Sequence, residues 1–377
     1  DYFEDSPSTR KQSNHELLCR DCGKSNSKAA SACENCSGSN LFRVRYSESD
    51  SACEVCGSRS KNTLRSLESG NDAAAGVLVT ELYSSLPQSD DNSRKIMVFS
   101  DNRQQAAFFA PYLQESYSKL MWRKSIHEAL LWLESSLDEG ESIKLFELIS
   151  PLKQIAQKYG MAAYGEDVHP KEEAARNLYL EAVTTDARIS LEGSGLVSFE
   201  VDLPQEEQAY SPLVGLGFSA KESRDLIEQL LQIVRKNGVL TAPSPGVDQR
   251  SDFFAPRRGP ITLRYNDRDQ KGKVSSWKPA NRKNSVSAYL EKVLAEMDQT
   301  EKLPEILEGI FTLLTDVNGK FSGIFSNVSG GNQAAKFQLD HNHLKITSVQ
   351  RRGHVFQCNL CRTVSSTSVR GICPRYK

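Results

Sequence analysis

What this chain lacks narrows the field first. None of its 377 residues fall in a run of about 18 apolar side chains, so no helical membrane span is expected. No charged-then-apolar segment opens it, so a secretory address is not expected either, and a soluble, cytoplasmic protein is the reading. The formal net charge is only -1, which leaves no global field to attract a charged partner; any nucleic-acid surface must be local. Neither a G-x-x-x-x-G-K-[ST] loop nor a D-E-x-[DH] box occurs, so nothing here cradles nucleotide phosphates or their magnesium. Hydrophobic residues make up 38%, a low share that still permits real cores joined by generous loops. The length suggests two or three domains. With Asp1 in place of an initiator Met and a last residue, Lys377, close behind Cys373, the chain reads as an internal piece of a larger protein.

Cysteine, by contrast, is plentiful and patterned. Eight of nine cysteines fall in C-x-x-C pairs: Cys19/Cys22, Cys33/Cys36, Cys53/Cys56 and Cys358/Cys361, with Cys373 alone. Such a turn puts two thiolates on one side of a tight knuckle, and two knuckles supply the tetrahedral sulfur shell that structural zinc prefers. Gly23 and Gly57 follow two of the knuckles and give the turn its φ freedom. A disulfide framework does not fit a long chain without a secretory signal. A redox C-x-x-C usually comes singly, whereas three occur here within forty residues. Zinc is therefore the expected cofactor. Cys19, Cys22, Cys33 and Cys36 form the simplest site; Cys19/Cys22 with Cys53/Cys56 is equally compatible and would leave Cys33/Cys36 to recruit ligands such as His15. Cys358, Cys361 and Cys373 give three ligands of a second site. Its fourth is expected beyond Lys377, with His354, His341 and His343 as substitutes.

Residues 1–60 are polar apart from Leu17, Leu18 and Leu41–Val44, as befits one or more zinc ribbons that cannot fold on burial alone. Ala75–Leu86 reads as a helix. Lys95–Phe99 reads as a buried strand, and Ser100-Asp101-Asn102-Arg103 closes it before a helix whose stripe is Ala106, Ala110, Leu113, Tyr117 and Leu120. Pro111 should kink or restart that helix. From residue 123 to 344 the reading is mostly helical: Ser125–Ser136, Ser142–Tyr159, Pro170–Thr184, Lys221–Lys236, Ser285–Met297 and Pro304–Thr315. Ser219 and Glu222 form a capping-box spacing, and Asn237-Gly238 ends that helix. Leu191–Val201 runs from a helix through a glycine turn into a strand, as in a winged-helix unit. Residues 257–283 hold nine Lys and Arg against Asp267 and Asp269, a local +7, with Tyr265 and Trp277 interleaved. Arg257, Arg258, Lys271 and Lys273 are candidates to neutralise phosphates and Trp277 to stack on a base, against the plain alternative of a solvated loop.

Met97 to Ala110, M-V-F-S-D-N-R-Q-Q-A-A-F-F-A, resembles the fourth helicase motif of large bacterial DEAD/DEAH-box helicases. These are superfamily-two enzymes with cysteine-rich zinc-binding modules, among them the helicases of DISARM-type phage defence. The resemblance is sharp over about twenty residues and looser at Leu191–Leu203 and over Cys358 to Tyr376. It implies that the strand at 95–99 opens the second RecA-like lobe and that Ser100, Asp101, Arg103 and Gln104 lie by nucleic acid. Arg103 would meet a phosphate, and Ser100 and Gln104 the backbone. It further implies DNA as partner (RNA being the alternative), the rest of a helicase chain, other defence subunits, and ATP with magnesium in the parent protein only.

The expected fold class is thus α+β and mainly helical. Zinc ribbons occupy 1–60 and, truncated, 345–377; a RecA-like opening spans 61–122; a helical, winged-helix-like insertion fills 123–344. A competing reading keeps the zinc ribbons and drops catalysis, making the chain an adaptor for nucleic acid or protein.

Overall fold

A computed structural model describes residues 2–4, 15–27, 29–46, 78–79, 81–82, 85–86, 103–138, 140–161, 169–183, 190–254, 261–266, 274–278, 283–329 and 334–375; of 2–4, 15, 44–46 and 103–116 it describes the backbone alone. The chain forms two compact units, residues 1–69 and residues 70–375. The class is α+β, with small sheets among the helices. Among the described residues no helix is long and apolar enough to cross a membrane.

The first unit is an antiparallel sheet of β1 (Tyr2–Glu4), β2 (His15–Cys19), β3 (Ser25–Asn26) and β4 (Leu41–Tyr46), in the order β1-β4-β2-β3. Its described side chains include only three that are fully withdrawn from water: Cys19, Cys33 and Asn26. It has no apolar core there.

The larger unit begins, in its labelled elements, with α1 (Arg103–Glu134). Two expectations are corrected here. Pro111 stands inside one continuous helix, because a proline forgoes a single amide bond while the bonds on either side continue. The separate helix expected from Ser125 is the second half of the same element, carried on by Met121, Trp122, Ile126, Ala129 and Leu130 in the core. Residues 78, 79, 81, 82 and 85 are helical, within the expected Ala75–Leu86.

A third correction follows at Ser142–Tyr159. Ile143–Lys144 is instead a short strand, β5, paired with Ile346 and Lys345, and only Ile149–Lys158 is α-helix, α2. Pairing to a strand two hundred residues away overrides local helix preference. Then come α3 (Pro170–Ala182) and β6 (Val197–Val201). The chain returns to the same sheet only at β11 (Leu344–Ser348), giving the antiparallel order β5-β11-β6.

Residues 202–343 fill the gap between those two strands. They hold helix α4 (Ala220–Lys236), α5 (Ser285–Ala295) and α6 (Leu303–Thr315), within one or two residues of the sequence reading. Four unforeseen strands accompany them: β7 (Thr262–Arg264), β8 (Val274–Ser276), β9 (Phe325–Asn327) and β10 (Phe337–Leu339), ordered β8-β7-β10-β9. Each is three residues long, too short to show an alternating pattern.

Helix α4 is the centre of this unit. Its capping box forms as read: Ser219 Oγ accepts from Glu222 N at 3.1 Å, and Ser219 N donates to Glu222 Oε2 at 2.9 Å. Gly238 closes it in the left-handed region at φ 85°. Leu226, Ile227, Leu230, Leu231 and Val234 are buried to the last. A second, polar row on the helix, Glu228, Gln232 and Arg235, also faces inward at i, i+4, i+7 spacing. It satisfies the outer edge of β6: Val201 N donates to Glu228 at 3.0 Å, and Gln232 Nε2 donates to Phe199 O at 2.9 Å. An open sheet edge is thereby closed by side chains instead of a further strand.

Burial pushes the Glu228 carboxyl up to about 7, against the pull of Gln232 and the Val201 N–H. A carboxyl raised in the folded state keeps its proton while the unfolded chain has lost it. Its stabilising effect is therefore full below about 4.5 and lost as pH rises towards 7. Glu228→Gln, which mimics the protonated form, should remove about 1–3 kcal/mol of the stability loss between pH 5 and pH 8. Urea unfolding of both proteins across that range checks it; parallel pH profiles would exclude the effect.

Candidate metal centres and the search for a nucleic-acid surface

The first unit brings Cys19, Cys22, Cys33 and Cys36 together, with all four sulfurs within 4.8 Å of one another. Cys19 Sγ lies 3.5 Å from Cys36 Sγ, and Cys22 Sγ lies 3.4 Å from Cys33 Sγ. Four sulfurs about 2.3 Å from a common ion stand about 3.8 Å apart, so the cluster is close to that shell. The four thiols could hold a metal ion. Of the two partitions open in sequence, this is the one the fold assembles. Cys53 and Cys56 lie outside the described residues, as does the His15 side chain.

The backbone explains the assembly. In the first knuckle Cys19 N donates to Lys24 O at 3.0 Å and Gly23 N to Cys19 O at 2.9 Å. In the second, Cys33 N donates to Gly38 O at 2.9 Å and Ser37 N to Cys33 O at 2.8 Å. Each knuckle then needs a left-handed residue behind its second cysteine: Gly23 at φ 73° and Ser37 at φ 56°. Asn26, which sequence reading passed over, ties the two together. Its Nδ2 donates to Lys24 O at 2.7 Å while its Oδ1 accepts from Glu34 N at 2.9 Å. Gly38 is a close approach: a Cβ there would meet Asp21 Oδ2 at 2.7 Å and Cys36 Sγ at 3.3 Å. The backbone N–H of Cys36 draws the Cys33 thiol down to about 6, with Asn35 N–H and the neighbouring thiols assisting. A thiolate is the form a metal takes.

The second site repeats the first. Cys358 N donates to Thr363 O at 3.0 Å, Arg362 N donates to Cys358 O at 2.9 Å, and Arg362 takes the left-handed place at φ 59°. The knuckle is flanked by β12 (Phe356–Gln357) and β13 (Val364–Ser365), paired antiparallel, much as β2 and β3 flank the first. Cys373 Sγ comes to 3.5 Å from Cys361 Sγ, and Cys358, Cys361 and Cys373 form one cluster. Burial opposes a thiolate at Cys358, but the N–H groups of Cys361 and Leu360 outweigh it and lower its pKa. Among the described residues no fourth donor joins. The histidines expected as substitutes are placed elsewhere: His341 Nδ1 is 2.8 Å from Thr241 Oγ1, His343 lies against Gly323, and His354 packs edge-on to Phe356.

The expected nucleic-acid residues fare differently. Ser100, Asp101, Arg257, Arg258, Lys271 and Lys273 lie outside the described residues, with the strand at 95–99. Arg103 and Gln104 open α1, directly behind the polar loop, and are described in backbone only. Trp277 is a correction. Its ring is fully buried and its Nε1 donates to Leu307 O at 2.8 Å, so it belongs to the core and offers no face to a base. Tyr265 packs on Phe311 with ring centres 5.2 Å apart, and Lys283 pairs with Glu291 at 2.7 Å. In the described part of the basic stretch, the two aromatic rings thus pack against the protein and Lys283 is neutralised. Compared with protein-family models, curated proteins and solved structures, the chain matches none.

Because the first unit lacks an apolar core among its described residues, its order should depend on the ion. Elemental analysis of the purified chain should find metal, and Cys33→Ser should lose about one equivalent. Chelation should collapse the amide dispersion of residues 15–46 in NMR spectra while the helical circular dichroism of the larger unit persists. Retention of that dispersion without metal would refute the dependence.

Proposed function

We propose that the chain is a zinc-stabilised, nucleic-acid-guiding part of an ATP-dependent DNA helicase or translocase. The observation that carries this reading is a three-helix, three-strand unit in a chain with thiol clusters towards both ends. The order α1, β5, α2, α3, β6, β11 with sheet order β5-β11-β6 supports a winged-helix-like reading in which residues 202–343 stand in place of the wing. All-sulfur donors at tetrahedral spacing favour zinc over harder ions in both clusters. The start of α1 at Arg103 fits the strand, polar loop and helix that the resemblance to the fourth helicase motif requires.

Within this reading the winged-helix unit acts as a scaffold. The helix that such modules lay in a groove would be α3, and its outer face is covered by the insertion. Tyr179 Oη donates to Leu240 O at 3.2 Å, and Tyr179 packs edge-on to Phe254 at 5.5 Å. Zinc would supply no chemistry beyond holding thiolates; phosphoryl transfer would belong to the parent protein.

Three measurements test the proposal. The isolated chain should show no ATPase activity and no saturable nucleotide binding, since it has no phosphate loop and no magnesium box; turnover of ATP would overturn the assignment. Translating the coding sequence on both sides should reveal a G-x-x-x-x-G-K-[ST] loop upstream and a Q-x-x-G-R-x-G-R-like segment downstream. Frames that lack both would leave a zinc-ribbon adaptor instead. In the parent enzyme Arg103→Ala should lower unwinding more than static binding.

A further inference from the structure

From Leu344 to Lys377 the chain contains neither Asp nor Glu, although acids and bases balance over the whole sequence. Most cations of this segment are used in seating the second knuckle on its own unit. Lys345 pairs with Asp202 at 2.6 Å, Arg352 with Glu200, and Arg370 with Glu222 at 3.0 Å. Arg351 donates to the carbonyls of Glu134, Asp138 and Glu141. Thr367 adds a bond to Gln229 on α4 at 3.3 Å. Arg362 and Arg375 are different: both are exposed, and neither pairs with a carboxylate among the described residues. The same knuckle exposes its apolar side chains, Phe356 at 42% and Leu360 at 49%.

Arg362 also sits where a glycine would be easier. The equivalent places in the first unit are Gly23 and Ser37, and a side chain at φ 59° costs of the order of a kcal/mol in backbone strain. An arginine at a strained, exposed place, unpaired with any described carboxylate, leaves its charge open to a partner.

We propose that the Cys358/Cys361/Cys373 knuckle is a contact for single-stranded nucleic acid. Phe356 and Leu360 receive unpaired bases, and Arg362 and Arg375 receive the flanking phosphates. A partner that combines repeated negative charge with flat apolar groups matches this surface on both counts. Duplex is disfavoured: strands of two residues cannot fill a groove, and stacked pairs present no open base face. The inference shares with the proposed function only the class of partner, and it moves the contact from the 257–283 stretch to the knuckle.

The test measures binding of fluorescein-labelled oligo(dT) to the metal-loaded whole chain by anisotropy at several salt concentrations. Variants are Phe356→Ala, Arg362→Gly and Arg375→Ala, each checked for unchanged metal content. Phe356→Ala should weaken binding roughly tenfold and leave the salt slope unchanged. Arg362→Gly and Arg375→Ala should each flatten the slope by about 0.7. Glycine at position 362 relieves the backbone, so a loss of affinity there cannot come from a damaged fold. Parent and variants binding equally well would overturn the knuckle contact while leaving a nucleic-acid role elsewhere in the chain. No binding by the parent would overturn both. Equal competition by polyglutamate would mark an acidic protein as the partner and overturn base stacking.

Discussion

The larger unit depends on one buried cation. Arg235 is wholly withdrawn from solvent, and its guanidinium meets three separate pieces of the chain besides its own helix. It grips Glu192 with two bonds of 2.8 Å, donates to the carbonyl of Ala182 at the end of α3, donates to Gln232 at 2.6 Å, and lies over the Phe199 ring at 4.6 Å. Burial works against the Glu192 carboxylate, but Arg235 and Lys236 outweigh it and hold its pKa below the usual range. A guanidinium in such a place without its carboxylate would cost several kcal/mol. The end of α3, the 190–196 turn, β6 and α4 must therefore arrive together or not at all. Arg235 acts less as added stability than as a condition on arrangement.

That condition has consequences at a distance. With α4 locked against β6, its polar row closes the sheet edge, and the sheet keeps three strands. The far side of α4 is then free to seat the carboxyl-terminal knuckle through Gln229 and Glu222. The first unit obeys another rule: without an apolar core among its described residues, geometry comes from thiols, knuckle amides and Asn26. The same knuckle is thus seated by packing and ion pairs in one place, and in the other it rests on four clustered thiols that could hold a metal ion.

These two regimes decide what could be read from sequence. The knuckles were legible because C-x-x-C is a local device whose amide pattern closes within six residues. Helix α4 was legible for a like reason: its capping box, apolar stripe and Asn-Gly stop all lie on one stretch. What escaped was set by distant partners. Ile143 and Lys144 look helical until Ile346 and Lys345 are known to lie beside them. Trp277 amid arginines and lysines looks like a stacking residue, yet the Leu307 carbonyl gives its indole nitrogen a buried partner thirty residues on. Arg235 itself resembles any basic residue in a last helical turn, where a charge suits the dipole. Nothing nearby in sequence shows that it points inward.

The contrast between Trp277 and Phe356 carries the point into function. Both are aromatic residues in basic, loop-rich segments, and composition treats them alike. Trp277 follows β8 and turns under α6, where burial of its ring offsets the loss of rotamer freedom. Phe356 stands on a two-residue strand whose neighbour is a thiol turn, and a hairpin that small has no interior to receive it. A knuckle closed by its own amides and seated by ion pairs can leave large apolar groups in water because its fold does not rely on their burial. Phe356 and Leu360 are thereby left in water, and the surface proposed for a partner is the one least needed by the core.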